Sequence, residues 1–370
     1  MNVEQLRSAG QGVIYLAGCA VNETKPDLGK ISELESVYAV AARHKLSAAV
    51  AIALESAGQK DARSSQAIAS ALKRAALFEQ AMAQAKAELE AAGIWYMPLK
   101  GAVLKAYYPQ YGMREMADCD ILFDASRAKD VRVLMERLGF QTERFGVMHH
   151  DVYFKKPLLN FQMHLSLFDP LHEKLHAYYE DVYKRLIGDG WEKRFSPEDF
   201  YLYVTAHAYK HYTGGGAGLR SLLDAYVYLK KEKLDMAYVA AEAEKLGIAG
   251  FEAANRSLAL RLFSGQELTA EEKDRLDYIL SSGAYGTTAH HVENRLRANG
   301  WGKTRYALDR FFVPISKKNR AYAVYARRYP FFYRHKLLLP VLPFYRTIRS
   351  LKSGKLMREA KTIVKTKKSR

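Results

Sequence analysis

Asp118 and Asp120 stand one residue apart in the run Asp118-Cys119-Asp120-Ile121-Leu122, whose apolar members read as a β-strand. Side chains alternate across a strand, so the two carboxylates share one face, and Cys119 and Ile121 take the other. Two adjacent carboxylates need a cation. Mg²⁺ (or Mn²⁺) is the usual occupant, since it takes oxygen ligands, keeps several waters and is commonly shared with a nucleotide's phosphates. Upstream, Leu99-Lys100-Gly101 opens a helix. A glycine at a strand-to-helix turn lets backbone N–H groups approach a phosphate at the positive helix end. Lys100 and Arg114 are candidates to neutralise leaving phosphates, Arg114 having Glu115 or Asp118 as alternative partners. These residues together point to nucleoside triphosphate chemistry.

The order of motifs resembles the polymerase-β-type nucleotidyltransferase superfamily. Within it, the chain looks like the bacterial group of uncharacterised nucleotidyltransferases. The resemblance rests on Leu-Lys-Gly, a helix ending in Tyr107-Tyr108-Pro109, Arg114, Asp-x-Asp-Ile-Leu, Leu138-Gly139-Phe140 and a strand ending in His164. It continues through His207, Lys210, His211, Gly218-Leu219-Arg220 and Asp224 to Tyr329-Pro330 and Leu338-Leu339-Pro340. It implies transfer of a nucleoside monophosphate from a nucleoside triphosphate (NTP) to a hydroxyl, with Mg²⁺ held by Asp118 and Asp120 and pyrophosphate leaving. It also implies that His207, Lys210, His211, Arg220 and Asp224 face the cleft from a helical half and contact base, sugar or acceptor.

The third acid of the superfamily falls, in this group, two residues before the strand histidine, where this chain has Gln162. An amide coordinates a metal weakly through its oxygen and accepts no proton. His164, on the same strand face as Gln162, is the candidate replacement base, its alternative being a structural histidine. Asp151 and Asp169 are further candidates. Two rival readings stay open. One is a catalytically degenerate relative that binds nucleotide, RNA or a protein partner; the other is a glycosyltransferase, although the short strand before the Asp-x-Asp pair gives that fold little sheet.

His207 and His211, four residues apart on one helix face, have a zinc-compatible spacing, but Ala208 stands where a zinc protease has its glutamate. The glycines from Gly214 to Gly218 are too irregular for a phosphate-binding loop and read as a hinge or turn.

Positioning these residues requires an α+β fold: a small mixed-sheet nucleotidyltransferase core flanked by helical modules, largely α overall. The expected division is a helical module at 1–92, the α/β core at 93–170, a helical domain closing the cleft at 171–265, and C-terminal helices with a basic aromatic tail at 266–370. The spacing predicts one helix over 31–56 and a longer one starting at Ser64 or Ser65. It predicts strands at 94–97, 118–123, 152–154 and 161–167, and helices at 101–108 and after a Ser126 cap. Ser196-Pro197-Glu198-Asp199 is a helix start, with a capping serine, proline at the first helical position and acids in the first turn.

Charge is distributed unevenly. The chain of 370 residues carries a net +17. From Trp301 onward it has 20 Lys or Arg against Asp309 and Glu359, a net of +18, so the first 300 residues are nearly neutral. Such a basic end suits a polyanion. Interleaved aromatics such as Tyr322, Tyr325, Tyr329 and Phe332 fit nucleic acid. The run from Leu337 to Pro343 shifts the expectation toward an anionic membrane surface. Leu16-Ala17-Gly18-Cys19 spells a lipoprotein cleavage pattern, yet Glu4, Arg7 and Gln11 interrupt the stretch before it. Two cysteines and no spanning segment give an expected location in the cytoplasm, peripheral at the membrane.

Overall fold

The computed structural model describes residues 1–300, 302–316, 321–352 and 362. The chain opens with three helices, α1 (Val3–Asn22), α2 (Leu34–His44) and α3 (Ser47–Ser56). The single helix expected over 31–56 is two, because Lys45 takes a left-handed conformation (φ +59°) that turns the chain. Cys19 lies buried in α1 among Leu16, Ala17 and Ala20. Helix α4 (Ala62–Ala91) runs thirty residues. Its cap is Asp61, and Ser64 is the third residue of a reciprocal capping box with it, so the expected serine start lies one turn late.

The sheet follows: β1 (Tyr96–Pro98), a one-turn helix α5 (Gly101–Leu104), β2 (Cys119–Phe123), α6 (Ala128–Arg137), β3 (Gln141–Arg144), β4 (His150–Lys155) and β5 (Leu159–His164). The expected helix over 101–108 changes to a 3₁₀ turn at Lys105–Tyr107. Ser126 sits in another 3₁₀ turn held by Asp124, rather than capping α6. Strand order is β1-β2-β5-β4-β3, with only the β2–β5 pair parallel. Edge strand β3 is mostly exposed and its Gln-Thr-Glu-Arg sequence lacks the apolar alternation that would announce it.

Ten further helices follow among the described residues: α7 (Glu173–Tyr178), α8 (Pro197–Gly214), α9 (Leu219–Lys231), α10 (Met236–Leu246), α11 (Ala249–Phe263), α12 (Ala270–Ser282), α13 (Thr288–Asn299), α14 (Lys303–Phe311), α15 (Ala321–Arg328) and α16 (Pro330–Arg334). A last helix, α17 (Leu342–Lys352), follows a 3₁₀ segment at Lys336–Val341. Among the described residues no helix is long and apolar enough to cross a membrane. The fold is therefore α+β and largely helical, around one five-stranded mixed sheet.

Alternation divides the sheet into two environments. Cys119, Ile121, Phe123, Phe161, Met163 and Tyr153 point to the back, where Phe78, Ala81, Ala85 and Leu89 of α4 and Val131, Leu134 and Met135 of α6 cover them. On the front, Met97 and Leu122 join Phe200, Tyr203 and Ala206 of α8. A separate core ties α1–α3 to Leu222 and Leu223 of α9, Leu258 of α11 and Ile279 and Leu280 of α12. This arrangement clamps α8 and α9 over the front of the sheet and leaves a cleft between them.

Candidate active site

Asp118 immediately precedes β2 and Asp120 lies within it, and parallel pairing sets Asp120 level with Gln162 and Leu122 level with His164. Level residues of paired strands face the same side, so Asp120, Gln162 and His164 all look into the cleft, with Cys119 behind. Each carboxylate is held from β5 by the side chain two residues beyond its level. The Gln162 amide donates to Asp118 Oδ2 at 3.0 Å, and His164 Nε2 donates to Asp120 Oδ1 at 2.8 Å. A carboxylate is acceptor-only, which fixes the proton on Nε2.

Lys100 Nζ also donates to Asp120 Oδ1, at 2.7 Å. Its backbone is unusual, with φ +45° and ψ −117°, a region that side-chain-bearing residues rarely occupy. The special backbone is thus at Lys100 rather than Gly101. What requires glycine at 101 is space: a Cβ there would stand 2.6 Å from Arg114 Nη1.

Arg114 is enclosed. Its Nη2 and Nε donate to Asp224 Oδ2 and Oδ1 at 2.8 and 3.1 Å, and its Nη1 donates to the Glu115 carbonyl. Tyr108 donates its hydroxyl to the same Asp224, and Arg220 Nη1 reaches the same Glu115 carbonyl at 3.3 Å. Asp224 therefore serves the wall of the cleft by neutralising Arg114, and neither side chain is free there.

Lys100, Gly101, Arg114, Asp118, Asp120, Gln162, His164, His207, Lys210, His211, Arg220 and Asp224 all line one cleft of about 330 Å³. His207 and His211 touch through their Nε2 atoms at 3.2 Å. Among the described residues they gather no third metal-ligating side chain, so the zinc spacing stops at a pair. Asp151 faces the back of the sheet, level with Met163, where the Gly146 N–H donates to it. Asp169 accepts from the Leu171 N–H and approaches His149. The residues unforeseen from sequence are His149 and His150, which also line the cleft. Their signal was a histidine doublet entering a strand, legible only with the β4–β5 register in hand.

The electrostatics of the cleft are uneven. Burial and the neighbouring Asp120 charge push the Asp118 carboxyl up. Burial would raise Asp120 as well, but the Lys100 ammonium and the His164 hydrogen bond hold it well below the usual carboxylate range. Burial brings His164 down to about 4, so its ring is neutral near pH 7. Burial and the Lys100 charge lower Lys210 to about 8. Arg220 is lowered by burial and by Arg114.

The donor set fits a hard divalent cation. Lys100 and His164 both use Asp120 Oδ1, leaving Oδ2 open, and Gln162 uses Asp118 Oδ2, leaving Oδ1 open. Two open carboxylate oxygens on one face are what such an ion takes from protein.

No curated protein and no solved structure matches the chain. The model of one family, described as uncharacterised nucleotidyltransferase, matches residues 32–264, which span the sheet, the cleft and the helices that close it. With well over half its length inside that match, the chain belongs to this nucleotidyltransferase family.

Proposed function

We propose that the protein transfers a nucleoside monophosphate from an NTP to a hydroxyl acceptor, with Mg²⁺ or Mn²⁺ on Asp118 and Asp120. The observation that carries this reading is the pair of open carboxylate oxygens in a cleft that also presents Lys100, Lys210 and Arg220. When bound, the metal offsets the charge of carboxylates and phosphates and polarises the phosphorus under attack. Lys210 and Arg220 neutralise the triphosphate from the helical side, and Lys100 does so from the sheet. His164 holds Asp120 by its Nε2–H and is too weak a base near neutral pH to activate a hydroxyl efficiently. In the reaction the acceptor hydroxyl gives its proton to water, its oxygen bonds to the α-phosphorus, the bridging bond to the β-phosphate breaks, and pyrophosphate leaves. Beside the cleft, a more open pocket of about 470 Å³ shares Lys210, His211 and Tyr285 with it and gives the acceptor a way in.

Gln162 favours a second reading, nucleotide binding without transfer, because no proton-accepting carboxylate stands at the third position. Calorimetry with Mg²⁺ and each NTP, followed by α-labelled NTP with cell extract, separates the two. Tight metal-dependent binding that Asp120→Asn abolishes, with label appearing on an acceptor, supports transfer. Binding with no label supports the second reading, and equal affinity in the variant removes the site.

The basic end docks, in this proposal, on an anionic membrane surface. Leu337 is 96% exposed, and Phe331, Val341, Phe344 and Ile348 are more than half or about half exposed, with Arg334, Lys336 and Arg349 exposed among them. Tyr322, Tyr325, Tyr329 and Phe332 are instead partly buried against Tyr333, Leu339 and Leu342. An apolar ridge flanked by cations suits the headgroup layer. Full-length protein should float with anionic vesicles and release only partly in high salt, and Leu337→Asp with Phe344→Asp should weaken that. RNA binding with a steep salt dependence and no vesicle binding would favour nucleic acid instead.

A further inference from the structure

Beside Asp120, on the cleft face of the sheet, three imidazoles cluster. His149, His150 and His164 each place one ring nitrogen within 4.8 Å of the other two. His149 and His150 meet edge to face with ring centres 4.6 Å apart, and His150 and His164 lie 5.1 Å apart. Histidine clusters are often nothing more than packed rings, so the nitrogens decide.

His164 is 2% exposed, and its Nε2–H is committed to Asp120 Oδ1 at 2.8 Å. Its other nitrogen, Nδ1, then carries a bare lone pair, buried and with no hydrogen-bond partner. A buried acceptor without a donor is costly. The pattern of one ring nitrogen bonded to a carboxylate and the other left as a naked donor is the usual state of a metal-binding histidine. His149 also has a buried nitrogen without a hydrogen-bond partner, Nδ1, 3.8 Å from Asp169 Oδ2, while its Nε2 shares a hydrogen bond of 3.3 Å with His150 Nδ1. Two nitrogens bound at 2.0–2.1 Å to one tetrahedral ion stand about 3.3–3.4 Å apart. The hydrogen-bonded His149–His150 pair is therefore already at ligand spacing; an ion would replace the shared proton, and the third ring needs to close.

We propose that His149, His150 and His164 form a binding site for a borderline divalent transition ion of the zinc class, separate from the Asp118 and Asp120 oxygens. Three neutral imidazoles select such an ion over Mg²⁺, which prefers oxygen. Asp120 and Asp169 are the carboxylates behind two of the ligands, and their charges oppose the repulsion from Lys100 and Lys210 nearby. A three-histidine set leaves a fourth position for water or a substrate oxygen. Through His164 the ion also fixes the angle of Asp120, coupling this site to the cleft.

The test uses full-length protein titrated with Co²⁺ as a visible probe, in excess Mg²⁺. The expected result is one Co²⁺ per chain with the strong absorption of four-coordinate cobalt, bleached by Zn²⁺ and indifferent to Mg²⁺. His149→Gln and His150→Gln should each weaken Co²⁺ at least tenfold, and Asp120→Asn should weaken it by about 10–100-fold as the carboxylate behind a ligand is lost. Asp118→Asn should leave the spectrum in place, which keeps the test independent of the Mg²⁺ reading and of any histidine variant that fails to fold. A pale six-coordinate spectrum, displacement by Mg²⁺, or full affinity in folded His149→Gln and His150→Gln proteins would overturn the proposal.

Discussion

Two buried ion pairs face the same cleft and are built differently. Arg114–Asp224 is closed: both side chains are less than a tenth exposed, the contact is bidentate, and Tyr108 and the Glu115 carbonyl take up remaining capacity. Lys100–Asp120 is open: one oxygen is shared by Lys100 and His164, the other is left over, and Lys100 hangs on a strained backbone. A pair whose charged nitrogens and oxygens are each already hydrogen-bonded has little to offer a ligand, whereas a pair with an unused oxygen can exchange its partner. The first builds the wall, and the second is where chemistry can enter.

The closed pair sets the largest expected effect. Asp224→Asn leaves the Arg114 guanidinium buried with the charge of its ion-pair partner removed, and losing one partner of a buried pair costs about 3–5 kcal/mol. Chemical denaturation should show that loss along the whole unfolding curve, with Mg²⁺ and NTP absent. A variant as stable as the wild type would mean that the wall tolerates an unpaired cation, and the distinction between the two pairs would collapse.

Gln162→Glu sharpens the open side. It places a proton acceptor level with Asp120 and beside Asp118, so any transfer rate should rise at least tenfold and at most by the roughly 10²–10⁴-fold that general-base help contributes. The glutamate also loses the amide hydrogen bond to Asp118 and adds a third negative charge, so the unliganded protein should become less stable and Mg²⁺ should restore it. An unchanged rate would show that another group already removes the acceptor's proton.

Gly101→Ala probes the seam between the two pairs. The new Cβ would stand 2.6 Å from Arg114 Nη1, so the guanidinium must shift out of its bidentate geometry. Overpacking of this sort costs about 1–3 kcal/mol. The loss should disappear in an Arg114→Ala background, which double-mutant thermal melts can read directly.

How much of this was legible in the sequence depends on the range of the interaction. The shared face of Asp118 and Asp120, with Cys119 behind, follows from strand alternation alone and needs no partner strand. The α8 start at Ser196 and Pro197 is equally local, and Ser196 does accept from the Asp199 N–H. The place of Gln162 came from the family resemblance, and the structure sets it level with Asp120. What could not be read was pairing at a distance: Arg114 with Asp224 across 110 residues, or the three histidines that meet only when β4 and β5 take their register. The break at Lys45 and the strand β3 were missed for another reason. Neither carries a glycine, a proline or an apolar period, so tertiary packing decides both.

The smallest stability effect is expected where the cleft is most open. Lys100→Gly removes the ammonium that pairs with Asp120, but it also places the one residue that accepts φ +45° and ψ −117° without strain at a position where a lysine costs about 1–3 kcal/mol. Asp120 keeps the His164 hydrogen bond, so it is not left bare. The two changes oppose each other, and the folding free energy should stay within about 1 kcal/mol of the wild type, comparable to an ordinary surface substitution. Nucleotide affinity should fall clearly, because the cleft loses the cation paired with the Asp120 carboxylate. Denaturant melts and calorimetry on the same protein give both numbers. A variant destabilised as severely as Asp224→Asn would show that Lys100–Asp120 is a second structural clasp. Retained stability with weakened binding would show that the strained lysine is kept for the ligand.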